Sequence, residues 1–338
     1  MCTTRANDFR GPVSIVINKF AKILCAAALI ALSACATAPI EQATAPLTAT
    51  SPSTGWLDST PRIAIATAYQ PEIEAMAPHL KAEKTHQVNG VSFLTGEIGG
   101  KPVILFMTGV SLVNASMNTQ LLFDKFNVSA LVMSGIAGGV DPAMKIGDVA
   151  VPERWGQYNE AIYLRERDGK IVWPQYTSES VAPPFMFIAP QGVRIASAAD
   201  PKPARRFWFE VDPGMLAAAR VAAQNVKFQR CSDKGGCLSH DPKVLVGGSG
   251  VTGSIFMDNA NFREYLFKNF GAQVVEMETA ATAMVAHANG VRFIAFRSLS
   301  DLAGGGNALQ NEEETFDTLA STNAAAFTLA FLAAYQPN

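Results

Sequence analysis

The chain of 338 residues is poor in charge and in cysteine. It carries 27 lysines and arginines against 29 aspartates and glutamates, so its formal net charge is only −2. There is no basic patch with interleaved aromatic residues, which argues against a nucleic-acid polymer as the partner. We find no internal repeat. With 49% hydrophobic residues, the chain still has enough apolar side chains for a sizeable core.

Long hydrophobic runs are also missing. The apolar segment from Ile23 to Leu32 covers only about ten residues, too few to span a bilayer as a stable helix. Lys19 and Lys22 precede it, and Leu32-Ser33-Ala34-Cys35 closes it. A short basic region, a short apolar region and small residues are typical of a secretory signal. The closing string resembles the bacterial lipobox, in which the cysteine carries lipid.

The resemblance to a lipobox predicts the cellular location of the protein. Residues 1–34 are expected to be a lipoprotein-type signal peptide, and Cys35 the lipidated first residue of the mature chain. Residues 35–60 are rich in alanine, threonine, proline and serine, which is typical of a flexible tether. The expected location is the periplasm, with the membrane contacted only through this N-terminal lipid anchor.

Two cysteines remain in the body of the chain. Cys231 and Cys237 flank a Lys-Gly-Gly turn that is able to bring them together. In an oxidising compartment a disulfide is the natural interpretation. A zinc site needs more ligands than the nearby His240 supplies, so we expect no metal, and two free thiols remain as a further alternative.

Residues 61–338 show strands that alternate with helices. This pattern predicts a single α/β domain, a three-layer sandwich whose central sheet is mixed, mainly parallel and flanked by helices. Residues 156–208 interrupt the pattern and are expected to form an insertion or a flap. The predicted strands are 62–67, 90–98, 102–107, 130–134, 147–152, 243–247, 273–277 and 293–297, and the predicted helices are 71–80, 114–126, 213–226, 260–270, 279–288 and 315–335.

Aromatic residues are concentrated in and beside this insertion. They are candidates for a lid over a binding site, although for most of them we favour ordinary packing of an extra flap. They are Trp155, Tyr158, Tyr163, Trp173, Tyr176, Phe185, Phe187, Phe207, Trp208 and Phe209.

Acidic residues end two neighbouring predicted strands. One strand runs into Val274-Val275-Glu276-Met277-Glu278-Thr279-Ala280, and the next runs into Phe296-Arg297-Ser298-Leu299-Ser300-Asp301. In an alternating β/α chain such strand ends meet at one crevice. Carboxylates placed there are suited to grip a polyhydroxylated molecule and to protonate it.

Together with Ser134-Gly-Ile-Ala-Gly-Gly139 and Lys145-Ile-Gly-Asp-Val-Ala-Val151, these strings resemble the nucleoside phosphorylase and nucleosidase superfamily. The resemblance covers roughly residues 61–335 and is greatest to the 5′-methylthioadenosine/S-adenosylhomocysteine nucleosidases. It implies hydrolysis of the N-glycosidic bond of a purine nucleoside to free base and sugar. It also implies a small-molecule substrate, no cofactor and a homo-oligomer, with a dimer favoured.

The resemblance assigns roles to individual residues. Asp301 matches the acid that protonates the purine, Glu278 the carboxylate that binds the ribose hydroxyls, and Glu72 the glutamate that activates water. Simpler explanations are a helix N-cap for Asp301 and a first-turn acid for Glu278, while Glu74 competes with Glu72 for the water. The further substrate-binding candidates are Glu276, Met277, Phe256, Met257, Ser300, Arg297 and Ile136, of which Met277 and Phe256 are equally explained as core residues.

The choice between hydrolysis and phosphorolysis depends on an anion site. The superfamily's phosphorylases carry an arginine in the loop that corresponds to Thr108–Asn114, and this loop has no arginine or lysine. Water is therefore the expected nucleophile, although Arg205 and Arg206 of the insertion are alternative cations. A phosphorylase, or a non-catalytic nucleoside-binding or uptake protein, remains the alternative, since the extension and the cysteine pair resemble exported relatives.

Overall fold

A long buried strand runs through the centre of the sheet. The computed structural model describes residues 55–175 and 180–336, and in it strand β5 is Phe126–Gly139. Strands β1 (Asp58–Thr67) and β18 (Arg292–Asp301) pair with β5 in parallel along its two edges. All three contain continuous buried apolar runs, which are typical of strands covered on both faces.

The other strands and the helices surround this centre. The remaining strands of the large sheet are β2 (Lys81–Val88), β3 (Val91–Ile98), β4 (Lys101–Met107), β6 (Val149–Val151), β7 (Arg154–Gln157), β14 (Trp208–Glu210), β15 (Val244–Val246), β16 (Ser249–Thr252) and β17 (Ala272–Glu276). The described helices are α1 (Gln70–Met76), α2 (Leu112–Lys125), α3 (Pro213–Ala222), α4 (Ala260–Phe270), α5 (Thr279–Asn289) and α6 (Glu313–Ala334). Three short ribbons pair β8 (Ala161–Tyr163) with β11 (Ile188–Pro190), β9 (Arg165–Arg167) with β10 (Lys170–Val172), and β12 (Val193–Ile195) with β13 (Ala204–Arg206).

The sheet is mixed and mainly parallel, and helices flank it, as the sequence predicted. Its strands are ordered β14-β7-β16-β17-β5-β1-β4-β3-β2, with β18 on the other edge of β5 and β6 and β15 beyond it. Parallel pairing joins β4, β1, β5 and β18, whereas β2, β3 and β14 add antiparallel edges. Helix α2 packs on α5, while α1 and α3 pack on α6. This architecture brings the ends of β1, β17 and β18 together.

Local sequence signals explain where several helices begin and end. Asn259 accepts a hydrogen bond from the Phe262 N–H at 2.9 Å and starts α4, and Asp212 does the same for α3 through the Met215 N–H. Gly271 ends α4 with a φ of 58°, a left-handed conformation that glycine adopts without strain.

Several predicted bounds were wrong, each for a local reason. Helix α1 stops at Met76, and a single 3₁₀ turn at Ala77–His79 replaces its predicted end because Pro78 lacks a backbone donor. Strand β2 was not predicted, because its polar, exposed residues give no apolar signal. Strand β18 extends to Asp301, four residues beyond its predicted end, so that Asp301 belongs to the strand instead of following it.

The segment 156–208, predicted to be irregular, contains the three ribbons and adds β14 to the sheet. Trp155, Tyr158 and Phe209 are buried in the core clusters, whereas Tyr163 is mostly exposed. Phe185 packs against Phe262 and Tyr265 of α4. Tyr176, another of the lid candidates, lies outside the described residues.

Cys231 and Cys237 are joined by a disulfide, with their Cα atoms 4.0 Å apart. The loop that this disulfide closes is attached to the start of α6. Lys234 Nζ lies 2.8 Å from Asp317 Oδ1, and the Thr318 hydroxyl donates to Asp233 at 2.6 Å. The cysteine pair thus ties a surface loop to the closing helix.

The predicted signal peptide and Cys35 lie outside the described residues. The predicted tether, residues 35–60, overlaps the fold at its end, because β1 begins at Asp58 and the Leu57 N–H donates to the Lys125 carbonyl at 2.7 Å. Among the helices that the structure describes, none is both long and apolar enough to cross a membrane.

Candidate active site

A cavity of about 170 Å³ opens where β1, β17 and β18 end. Its lining contains the ten residues to which the sequence analysis assigned a catalytic or substrate-binding role: Asp301, Glu72, Glu278, Met277, Glu276, Phe256, Met257, Ser300, Arg297 and Ile136. The other lining residues are Ala68, Tyr69, Val110, Ala137, Gly138, Ile255, Val275 and Glu313.

Arg297 lies beneath one end of the cavity with only 1% of its surface exposed. Its guanidinium faces three carboxylates: Nη2 is 2.5 Å from Glu276 and 3.5 Å from Glu278, and Nη1 is 3.6 Å from Glu72. Burial opposes the charge of Arg297, but the three carboxylates, led by Glu276, outweigh it and raise its pKa. This end of the cavity is therefore a buried ionic cluster.

Glu276 is fully engaged inside that cluster. Besides Arg297, its Oε2 accepts hydrogen bonds from the Glu278 N–H at 2.9 Å and from the Thr279 N–H and hydroxyl at 2.8 Å each. Its Oε1 accepts from the Thr252 hydroxyl. Glu276 thus satisfies the first N–H groups of α5 and complements the positive end of the helix dipole. Its oxygens are occupied by protein donors.

Glu278 is the residue immediately before α5. Its Oε1 accepts a hydrogen bond from the Ser111 N–H at 2.7 Å, while the 3.5 Å contact with Arg297 is the only one that Oε2 makes within the described residues. Burial, followed by the charge of Glu276, raises the pKa of Glu278 to about 8 against the opposing effect of Arg297. This carboxyl group keeps an oxygen available for a ligand.

The donor to Glu278 sits in a strained backbone. Ser111 has a φ of 82°, in the left-handed region that disfavours residues other than glycine. Its hydroxyl donates to the Ser254 hydroxyl at 2.7 Å. Backbone strain of this kind is concentrated at functional sites, which is consistent with the loop after β4 belonging to the cavity.

Glu72 lies in α1, just beyond the end of β1. Its Oε2 accepts from the Ala68 N–H at 2.5 Å and its Oε1 from the Ile136 N–H at 2.8 Å. Burial raises its pKa, although Arg297 and the backbone donors favour the ionised form. The competing candidate, Glu74, is exposed and does not line the cavity.

Asp301 occupies the other end of the cavity and is 4% exposed. Its Oδ1 accepts from the Ala303 N–H at 2.7 Å and from Asn311 Nδ2 at 3.3 Å, and its Oδ2 accepts from the Ser300 hydroxyl at 2.8 Å. Within the described residues no cation pairs with it, and burial raises its pKa. The alternative interpretation as a helix N-cap is wrong, because the next helix begins only at Glu313.

Two glycines of β5 make room for these carboxyl groups. A Cβ atom at Gly135 would overlap Glu72 Oε1 and Arg297 Nη1, and one at Gly138 would lie 3.0 Å from Asp301 Oδ1. The Ser-Gly-Ile-Ala-Gly-Gly string thus allows one strand backbone to approach both ends of the site.

Apolar side chains cover the rest of the wall. Phe256 is 56% exposed, so it is not a core residue, and Met257 is half-buried next to it. Met277 lies between the two glutamates of the β17 end. An aromatic ring at the rim of a polar cavity is suited to the face of a planar heterocycle.

The sequence analysis missed three residues near the cavity: Tyr69, Ser111 and Glu313. Tyr69 and Ser111 follow the ends of β1 and β4, so the rule that ligands bind where parallel strands end would have found them. Glu313 gave no such signal, because the loop that returns α6 to the cavity is long and rich in glycine. Burial, followed by the charge of Asp301, raises the pKa of Glu313.

The described part of the insertion supplies no cation to this site. Arg205 and Arg206 lie on β13, are exposed and do not line the cavity. Arg297 is the one cation among the described lining residues, and three carboxylates already surround it. The cavity therefore offers poor conditions for an oxyanion such as phosphate.

The fold and the cavity define an α/β protein whose site combines a buried ionic cluster with a separate buried acid. The chain belongs to the Phosphorylase superfamily, which it matches over residues 62–333.

Several individual proteins are similar to this chain. The chain is 29% identical to the 5′-methylthioadenosine/S-adenosylhomocysteine nucleosidase of Halalkalibacterium halodurans over 272 residues, covering 80% of this chain and 97% of the relative. It is 27% identical to bark storage protein A of Populus deltoides over 223 residues, 64% of this chain and 70% of the relative. In structure the chain resembles the 5′-methylthioadenosine/S-adenosylhomocysteine nucleosidase of Colwellia psychrerythraea in complex with adenine, with a TM-score of 0.62 and 23% identity. The match covers 83% of this chain and 98% of the neighbour.

Proposed function

We propose that this protein hydrolyses the N-glycosidic bond of a purine nucleoside to free base and sugar. The observation that carries the proposal is the division of carboxyl groups around one cavity. At one end Asp301 is buried and pairs with no cation of the described residues, while at the other end Glu72 and Glu278 share Arg297. The nucleosidase relatives support the same reaction class.

The end of the cavity at Asp301 suits the departing base. A purine is a poor leaving anion, so its N7 must gain a proton as the bond from the anomeric carbon to N9 breaks. Burial raises the pKa of Asp301, which favours the protonated form that this role requires. Phe256 at the rim supplies a ring face for the planar base.

The end at Arg297 suits the sugar and the water. Bond cleavage gives the ribosyl ring oxocarbenium character, as in other glycoside cleavages. Glu278 is placed to accept hydrogen bonds from two neighbouring hydroxyls, which holds the ring in position. Glu72 takes a proton from the attacking water while the water oxygen bonds to the anomeric carbon. The products are the neutral base and the free sugar.

Glu276 serves this arrangement indirectly. Because protein donors occupy its oxygens, we assign it to holding Arg297 and the start of α5, not to contacting substrate. The remaining candidates, Ile136, Met257, Met277 and Ser300, are proposed to contact the substrate or to hold those residues that do.

The substrate is either an ordinary purine nucleoside or a 5′-thioether nucleoside of the methylthioadenosine and S-adenosylhomocysteine type. The test is to incubate the purified mature protein with adenosine, inosine, methylthioadenosine and S-adenosylhomocysteine, with and without phosphate, and to measure free base. We expect phosphate-independent release from at least one of them. Release that requires phosphate would establish a phosphorylase, and absence of release with measurable binding would establish a nucleoside-binding protein.

We further propose a homodimer formed over the face beside the cavity. Val113 and Met117, one turn apart on α2, are 76% and 59% exposed, and Val110 and Ile255 add apolar surface at the rim. Exposed apolar side chains on one helix and on the neighbouring rim favour an interaction surface. Light scattering is expected to show a dimer that the double change Val113→Lys and Met117→Lys converts to a monomer. The exposed Val221→Lys change on α3 is the control.

The location is proposed from the N-terminal sequence. We expect export through the signal peptide and lipid attachment at Cys35 in the periplasm. Palmitate labelling of the full chain is expected to depend on Cys35, and Cys35→Ala is expected to release the protein from the membrane fraction. Equal labelling of both forms would contradict the anchor.

A further inference from the structure

Asn311 connects the acid Asp301 to the segment that leads into α6. Its Nδ2 lies 3.3 Å from Asp301 Oδ1 and 3.2 Å from Asp258 Oδ1. Its Oδ1 accepts a hydrogen bond from the Glu313 N–H at 2.8 Å. Each end of the amide therefore has partners of only one kind, so its nitrogen must point to the carboxyl groups and its oxygen to the backbone.

The contacts of Asp301 differ between its two oxygens. Oδ1 accepts from the Ala303 N–H and from Asn311, and both of these groups are able only to donate. Oδ2 meets the Ser300 hydroxyl, which either donates to it or accepts from it. A proton on Oδ1 would face two donors, so the proton of the neutral acid belongs on Oδ2.

We propose that Asn311 is a positioning residue that, with the Ala303 N–H, directs the acidic proton of Asp301 to Oδ2 and holds that oxygen toward the base. The inference rests on the proposed nucleosidase function, because it concerns the proton that the base receives. It assigns a role to the loop between β18 and α6. No residue of this loop is among the described residues that line the cavity.

The charged groups around Asp301 set the direction of each expected effect. They are Asp258 just before α4, and Glu312 and Glu313 at the start of α6, all acidic. Asn311 favours the ionised form of Asp301 by donating to it and so lowers its pKa, whereas the charge of Asp258 raises it. Removing the amide and removing the charge must therefore move the titration in opposite directions.

Four variants test the inference: Asn311→Ala, Asn311→Asp, Asp258→Asn and, as a control, Asn307→Ala at an exposed position of the same loop. The readouts are the pH profile of kcat/KM and the titration of the Asp301 carboxyl carbon by ¹³C NMR. We expect Asn311→Ala to lower kcat about tenfold, because one hydrogen bond to an ionisable group is lost. Activity that depends on protonated Asp301 falls as pH rises, which gives the pH profile a descending limb. Because the Asn311 hydrogen bond lowers the pKa of Asp301, this limb is expected to move to higher pH in Asn311→Ala.

Asn311→Asp is expected to move the same limb further, since it adds a negative charge beside Oδ1. Asp258→Asn keeps an acceptor for Asn311 but removes a charge, and is expected to move the limb to lower pH with little loss of kcat. Asn307→Ala is expected to match wild type.

An unmoved limb in both Asn311 variants would overturn the inference even if kcat fell, since that result indicates loosening of the loop alone. A wild-type protein without base release would overturn the proposed function instead. In that case the NMR titration of Asp301 still decides whether Asn311 acts on the carboxyl group, with an unchanged titration counting against it.

Discussion

The two ends of the cavity use the same chemical group in opposite surroundings. At one end Glu72, Glu276 and Glu278 lie around the buried guanidinium of Arg297. At the other end Asp301 is equally buried, and its donors among residues 55–175 and 180–336 are all neutral. A carboxyl group next to a buried cation is favoured as an acceptor, whereas one without a cation is favoured as a proton donor. Burial raises the pKa of Glu72, Glu278 and Asp301 alike, but Arg297 opposes this rise only at Glu72 and Glu278.

Asp301→Asn is expected to have the largest effect on activity. The variant keeps the size of the side chain but has no acidic proton, so kcat is expected to fall by about 10²- to 10⁴-fold. A C-nucleoside analogue of adenosine, whose C–C bond is not hydrolysed, is expected to bind within about threefold of wild type, because no binding contact is removed. Calorimetry and base-release kinetics measure the two quantities. Retained turnover would refute the role of Asp301 as the acid.

Arg297→Met is expected to have the largest effect on stability. It leaves three carboxyl groups without their buried cation, which is expected to lower the free energy of unfolding by about 3–5 kcal/mol. Urea unfolding at neutral pH measures this loss, and Arg220→Met on the exposed surface of α3 is the matched control, with an expected change within about 0.5 kcal/mol. Equal losses in the two variants would mean that the cluster is not held by its arginine.

Glu278→Gln is expected to show an effect that depends on pH. The pKa of Glu278 is about 8, so in the ligand-free wild-type protein this residue is largely neutral, like glutamine, at pH values below about 8. At higher pH its carboxylate accepts hydrogen bonds from both sugar hydroxyls. We therefore expect the affinity ratio of wild type to variant for the C-nucleoside to rise with pH, reaching about tenfold at high pH.

Calorimetry from low to high pH measures this ratio, and the 2′-deoxy form of the same analogue, which lacks one hydroxyl, is the control with a smaller expected change. A ratio that stays constant with pH would contradict the assignment of Glu278 to the sugar.

Glu313→Leu is expected to have a smaller effect, on selectivity. Among the described contacts the carboxyl group of Glu313 has no hydrogen bond or ion pair, although it lines the cavity. We expect this carboxyl group to accept a hydrogen bond from the 5′-hydroxyl of adenosine, which methylthioadenosine lacks. The variant is then expected to lower kcat/KM for adenosine relative to methylthioadenosine by up to about tenfold. Equal losses for both substrates would place Glu313 at the base instead of the 5′ group, and Glu314→Leu on the exposed side of α6 is the control.

Much of the fold could be predicted because its signals are local. Buried strands such as Ala130–Ser134 are continuous apolar runs, and α4 was predicted with the bounds that the structure has, Ala260–Phe270, because Asn259 and Gly271 mark its ends. Strands β2 and β16 were missed because their residues are polar or small and gain their pairing only from neighbouring strands. Edge and short strands depend on tertiary partners more than on their own composition.

The functional site was also predictable only in part. Its acidic residues were recognised as a set because they follow strand ends, and the structure brings them to one cavity. Tyr69 and Ser111 were missed although they follow the ends of β1 and β4, whereas Asn311 lies in a loop whose path the sequence does not reveal. The assignment of Glu276 also changed, because its oxygens already accept hydrogen bonds from Thr252, Thr279 and Arg297 in the folded protein.

The sequence by itself determined which residues are available: a set of carboxyl groups at strand ends, glycines next to them and a cysteine pair in a short turn. These features arise from local composition and spacing, which fold topology brings together in a regular way. Only the tertiary structure decided which carboxyl groups face Arg297 and which one does not. The charge state of a buried group depends on its neighbours in space, and residues as far apart as Glu72 and Arg297 become neighbours only when the sheet closes around them.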